Sequence, residues 1–146
     1  MSAAALETIR TTLVRLRMPR ALEVLDDTVR QLEQGAITAL EAIEGLLTEE
    51  LTFREGRRIG VALTTARLMP AKTLESFDFG FQPSLERERI MTLAGLDFID
   101  RAEVVHFLGP PGTGKSHLAT ALGVAAVKAG KSVYRCSLAE LIDGLT

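Results

Sequence analysis

The residues best placed to do chemistry stand in a row, Gly109-Pro110-Pro111-Gly112-Thr113-Gly114-Lys115-Ser116. They fit the pattern G-x-x-x-x-G-K-[ST], in which each fixed position answers a demand of phosphate binding. The glycines let the backbone bend and approach oxygen atoms without a Cβ in the way. The amides of about Gly112 to His117 are then free to converge on one anion, helped by the positive end of a following helix. Lys115 supplies a mobile charge for the β- and γ-phosphates, and the Ser116 hydroxyl suits a Mg²⁺ ligand. Thr113 shapes the loop. A plain turn between two elements would need neither Lys115 nor Ser116 at those offsets.

Such a loop works only when a strand feeds it and a helix follows it. Val104–Leu108 is a short, mostly apolar run that predicts a buried strand, and Lys115–Ala129 predicts a helix with little polar surface. Gly130-Lys131 ends that helix, Ser132–Cys136 predicts a second strand, and Ser137 is placed to cap a last helix. These elements suit the binding of phosphate. Hydrolysis also needs an acidic strand-end residue to hold Mg²⁺, and the carboxylates after Ser116, Glu140 and Asp143, both fall in the last predicted helix.

Before the loop lies a helical preface. Leu6, Ile9, Leu13 and Leu16 share one face of a first helix; Pro19 suits the first turn of a second, bearing Leu22, Leu25, Val29 and Leu32 and stopped by Gly35. Thr38 and Glu41 form a capping box for a third helix reaching about Arg67, with a bend or break expected near Gly56. Residues 70–83, punctuated by Pro70, Gly80 and Pro83, read as a linker, and Ser84 as the cap of a helix extending toward Ile99. The expected domains are therefore 1–69 (helical), 70–83 (linker) and 84–146 (the nucleotide-binding part).

Two further clusters have two readings each. Arg54, Arg57 and Arg58 share a helical face, with Glu50 four residues before Arg54: either a solvated, ion-paired surface or a contact for DNA or a protein partner. Phe77, Phe79 and Phe81 alternate around Asp78, and either pack a core or wall a nucleotide-base pocket.

A net charge of −2 argues against a protein that coats nucleic acid by bulk charge, though not against a local patch. The apolar runs are far shorter than the roughly 18 residues of a membrane span, and the start MSAAALETIRTTL lacks a signal-peptide pattern, so a cytoplasmic protein is expected. A single cysteine, Cys136, allows no internal disulfide and reads as an inert thiol in a strand; His106 and His117 are too few for a metal cluster.

With these stretches in view, the sequence resembles the IstB-type transposition helper ATPases, AAA+ proteins related to DnaC-type helicase loaders. The resemblance is carried by LTFREGRRIGVALTTARL, TLESFDFGFQPS, LAGLDFIDRAEVVHFLGPPGTGKSHLATALG and KSVYRCSLAELI in that order. It implies an α/β fold in which the helical region precedes the first part of a P-loop AAA+ domain. It implies ATP and Mg²⁺ as cofactors, with Gly109, Pro110, Pro111, Gly112, Thr113, Gly114, Lys115, Ser116 and His117 as the nucleotide site and Ser116 on the metal. It also implies a transposase and double-stranded DNA as partners, and homo-oligomers in full-length relatives. Relative to the family pattern the chain stops before the acidic strand, sensor, arginine finger and lid. The expectation is an incomplete parallel sheet, because the family's first and second strands are not neighbours, and weak nucleotide binding without full ATPase activity. Alternatives are a DnaC-like helicase loader, a small-molecule kinase, and a DNA- or protein-interaction module with a vestigial nucleotide site.

Overall fold

The computed structural model describes residues 3–145. Its elements are α1 (Ala3–Arg15), α2 (Pro19–Glu33), α3 (Ala39–Thr65), α4 (Arg87–Ala94), α5 (Asp97–Asp100), α6 (Lys115–Lys128) and α7 (Leu138–Asp143). The chain divides into two compact units, residues 1–58 and 59–146, with the division inside α3.

In the first unit α1 and α2 form a helical hairpin. Its turn is a Schellman motif: the Met18 amide donates to the Leu13 carbonyl (2.9 Å) and the Arg17 amide to that of Val14 (3.0 Å), with Arg17 left-handed at φ 54°. Pro19 opens α2 as its position predicts, but Met18 offers no side chain to cap it. The cap comes from thirty residues away. Glu50, only 3% exposed, accepts hydrogen bonds from the amides of Arg20 (2.9 Å) and Ala21 (3.1 Å) through one carboxylate oxygen, and from Arg54 Nε (2.8 Å) through the other. A negative charge thus sits on the positive end of α2 beside its buried residues Ala21 and Leu25.

The start of α3 follows the predicted capping box: the Glu41 amide donates to Thr38 Oγ1 (3.3 Å), and the Thr38 amide to the Glu41 carboxylate (2.7 Å). The bend expected near Gly56 does not interrupt the helix, which continues to Thr65. Glycine costs a helix interior roughly 1 kcal/mol, too little to break a helix of this length.

In the second unit α6 is the central element. Leu118, Ala121 and Leu122 pack with Leu74, Phe77 and Ile90 in one cluster, while Val124 and Val127 pack with Leu63, Ala66 and Leu68 in another. The helix is therefore apolar on two sides, as its composition predicts, and Gly130 at φ 83° ends it where expected. Ser137 caps α7 in a capping box with Glu140.

Two expectations differ from the structure. Among the described residues 104–108 and 132–136 form no strand and share no backbone ladder. A strand exists only through a neighbour's hydrogen bonds, and these segments are held by side-chain packing instead, Phe107 on the cluster around Ile90 and Leu118 and Val133 on the cluster around Leu68 and Val124. Nor is the first segment buried, since Val104 is 76% and Leu108 90% exposed. The second concerns the helix from Ser84 to Ile99. Ser84 accepts from Gln82 Nε2 (3.0 Å) instead of capping, the helix begins at Arg87, and Leu96, left-handed at φ 65°, separates α4 from α5.

Glu50 gives unit 1 a pH dependence. Burial pushes its carboxyl up, but the amide of Ala21, the Arg54 guanidinium and the amide of Arg20 outweigh that and hold it below the ordinary glutamate range. Because the folded value is the lower one, its stabilisation is complete above the unfolded value of about 4.3 and disappears as pH falls through the folded value. Glu50→Gln is expected to lower the thermal midpoint by several degrees at pH 7, and to show a shallower loss below about pH 4.3 than the wild type in circular-dichroism melts.

Candidate phosphate-binding site

The loop between 108 and α6 has the geometry that its glycines allow. Gly109, Gly112 and Gly114 stand at φ 155°, 79° and 88°. Thr113 Oγ1 donates to the Pro110 carbonyl (2.9 Å) and thereby ties the loop across its width. Lys115 Nζ also donates to the Pro110 carbonyl and lies 3.4 Å from Thr113 Oγ1. Its ammonium is folded over the loop it belongs to.

Gly114 is the N-cap of α6, and no side chain caps that end. The first helical bond runs from the Leu118 amide to the Gly114 carbonyl (3.0 Å), so the amides of Lys115, Ser116 and His117 have no acceptor within the helix. The Ser116 side chain is exposed and has no hydrogen-bond partner among the described residues. Hence amides, ammonium and hydroxyl of the predicted residues come together at one helix end. That arrangement suits an anion, with the hydroxyl as the kind of hard oxygen donor that Mg²⁺ takes.

Lys115 and Thr113 also line a cavity of about 590 Å³ together with Ile90, Leu93, Phe98 and Phe107, a volume in the range of small-molecule sites. From the expected linker, Gln82 reaches this cavity. Phe77 does not line it. It is buried in the α6 cluster, its ring edge-to-face with Phe79 (centroids 4.9 Å apart), while Phe81 is exposed.

Sequence reasoning missed what supports the loop. A Cβ on Gly114 would lie 2.6 Å from Phe77 Cε2, so the aromatic ring rests directly against the loop's last glycine. His117 stacks edge-on against the same ring (5.2 Å, 86°), and its Nε2 lies 3.1 Å from the Thr73 carbonyl. The available signal was the alternation of Phe77 and Phe79 at hydrophobic spacing, which identifies a packed segment but not its target.

The remaining candidates lie elsewhere. Glu140 is occupied: the Ser137 amide and hydroxyl, and then the Arg67 guanidinium, outweigh its burial and hold its carboxyl below the usual range. Among the described residues no cluster of His, Cys, Asp or Glu could hold a metal, and Cys136 is a half-buried free thiol in a segment without regular secondary structure. The three arginines differ in their surroundings. Arg54 is held by Glu50 and by the carbonyls of Leu16 (3.3 Å) and Arg17 (2.8 Å). Arg57 and Arg58 are exposed, with no ion pair or hydrogen bond among the described residues. No described helix is long and apolar enough to cross a membrane.

A glycine-rich turn opening onto an uncapped helix, with Lys and Ser at the helix start, is the local arrangement expected of a P-loop. Residues 11–146 match the family described as IstB-like ATP binding protein, and the chain belongs to that family. It is 41% identical over 94% of its length to a protein of insertion sequence IS21 from Pseudomonas aeruginosa, and 35% identical over 90% to one of insertion sequence IS5376 from Geobacillus stearothermophilus, both named for ATP binding. A similar protein from Mycobacterium tuberculosis is 31% identical over 94%. The chain spans 52%, 52% and 55% of these relatives, about half their length. Membership of a P-loop family points to an α/β fold, of which the helical elements are described above.

The contact between Gly114 and Phe77 can be tested. Gly114→Ala combines a positive φ with a steric clash and is expected to destabilise the second unit by about 1–3 kcal/mol in denaturant unfolding, with part of the loss recovered by adding Phe77→Leu.

Proposed function

We propose that this chain is the nucleotide-grasping part of an IstB-type helper of DNA transposition. It binds ATP with Mg²⁺ through Gly109, Pro110, Pro111, Gly112, Thr113, Gly114, Lys115, Ser116 and His117. The amides of the loop take the phosphate oxygens, Lys115 leaves the Pro110 carbonyl to neutralise the β- and γ-phosphates, and Ser116 contributes a metal ligand. One observation carries this reading: a Lys–Ser helix start with unsatisfied amides, in a chain belonging to a family named for ATP binding.

In this reading residues 1–69 form a helical region that engages DNA, residues 70–83 a linker, and residues 84–146 the front of the nucleotide domain, in which 104–108 and 132–136 become strands of a parallel sheet once strand partners are supplied. The partners are a transposase, double-stranded DNA and further copies of the helper, and the compartment is the cytoplasm. The relatives' names, which place them in insertion sequences, support the transposition context. Of the three arginines, Arg57 and Arg58 are the proposed phosphate contacts on DNA, because both guanidinium groups are exposed and unpaired among the described residues.

Titration calorimetry of the full chain with Mg-ATP tests the nucleotide site. Lys115→Ala is expected to weaken binding at least about tenfold, the cost of one charge-assisted contact to phosphate, and equal binding by this variant sinks the assignment. For DNA, replacing Arg57 and Arg58 by alanine is expected to weaken binding uniformly across sequences and to reduce the salt slope by about 1 per arginine, whereas an unchanged slope removes them from the interface.

A further inference from the structure

We propose that the His117 side chain is a positioning residue that aims the phosphate loop by bracing the first turn of α6 against the turn formed by residues 73–76. This inference rests on the nucleotide-binding reading above and extends it to a side chain that does not itself touch phosphate.

Gly114 gives the start of α6 freedom without support: it carries no side chain, sits at φ 88° and receives no capping bond. A loop with glycines at 109, 112 and 114 loses much conformational entropy on ordering, so an anion binds tightly only where something has already ordered it. His117 provides that order one turn into the helix. A carbonyl can only accept, so the contact of Nε2 with the Thr73 carbonyl at 3.1 Å places the proton on Nε2. Ser76 Oγ, 3.3 Å from the same nitrogen, accepts in part from the same N–H.

The other side of the brace is fixed. The Thr73 amide donates to Ser76 Oγ (2.9 Å), the Ser76 amide donates to Thr73 Oγ1 (3.2 Å), and the Ser76 hydroxyl lies 2.9 Å from the Ala71 carbonyl. Leu74 and Phe77, both buried, pin this turn to the α6 cluster. The imidazole thus spans from a rigid turn to the residue directly after Ser116, and Phe77 fills the angle between them against both Gly114 and the His117 ring. The amides of Lys115, Ser116 and His117 point where this brace directs them. A misplacement of about 1 Å at such donors is enough to forfeit much of their contribution.

The test measures affinity of the full chain for Mg-ATP and for inorganic tripolyphosphate, with thermal midpoints alongside. His117→Leu, which keeps an apolar body against Phe77 but has no donor, is expected to weaken both ligands roughly tenfold. His117→Gln, whose amide N–H can reach the Thr73 carbonyl, is expected to restore most of the affinity; a merely structural histidine would show no such split between two folded variants. Ser76→Ala, which removes the lock on the turn and lies outside the loop, is expected to shift affinity in the same direction, and it decides the matter if His117→Leu does not fold. Wild-type affinity in the leucine variant, equal losses in leucine and glutamine variants, or an unchanged Ser76→Ala overturns the brace. A wild-type chain that binds neither ligand removes the nucleotide reading itself, and the brace with it; the wild-type titration separates that failure from the others.

Discussion

The second unit depends on a carbon atom that is not there. Because Gly114 has no Cβ, the Phe77 ring can lie against the last residue of the loop, and because the ring is there, the residues before it become part of the α6 core. A stretch that is irregular by composition is thereby packed by contact. Leu74, Phe77 and Phe79 do for this segment what periodicity does for a helix, burying one side of the chain and leaving polar groups such as Asp78 to satisfy the turn amides of Gly80 and Phe81.

The helical region answers a similar deficit with charge. α2 begins at Pro19, whose ring suits the first turn but leaves Arg20 and Ala21 with amides to satisfy and Met18 with nothing to offer them. Glu50 supplies the missing acceptor, and Arg54 compensates Glu50 while tying down the carbonyls of Leu16 and Arg17. One buried carboxylate therefore joins the start of α2, the end of the first turn and the middle of α3. Arg54 looks from its spacing like a member of a basic patch, and in space it belongs to this joint.

What the sequence made legible was whatever is encoded locally. The loop was readable because its residue types are fixed at fixed offsets. The capping box Thr38–Glu41 and Ser137 as a cap were readable because partners three residues apart meet at a helix start, and the proline at the start of α2 and the glycine after α6 because each suits its backbone position; Glu140 as the partner of Ser137 was not read. The contacts of Glu50 with Arg20 and of His117 with Thr73, separated by 30 and 44 residues, were not, because no periodicity reports which distant groups meet. The two expected strands do not form among the described residues for a related reason: Val104–Leu108 and Ser132–Cys136 have strand composition, but pairing is a property of neighbours, which composition does not report. Ser84 is a good cap by type, yet Gln82 engages its hydroxyl first.

The remote cap on α2 also bears on how the helical region is assembled. A helix capped by its own flanking residue can form and fray by itself, whereas α2 acquires its cap only when a carboxylate from α3 has been carried across 30 residues of chain. Closing so long a loop must precede the reward, so α1, α2 and the first half of α3 gain little by forming separately. Their opening is then a single cooperative event, and slow amide exchange should extend to the first turn of α2, the end of a helix that ordinarily exchanges fastest.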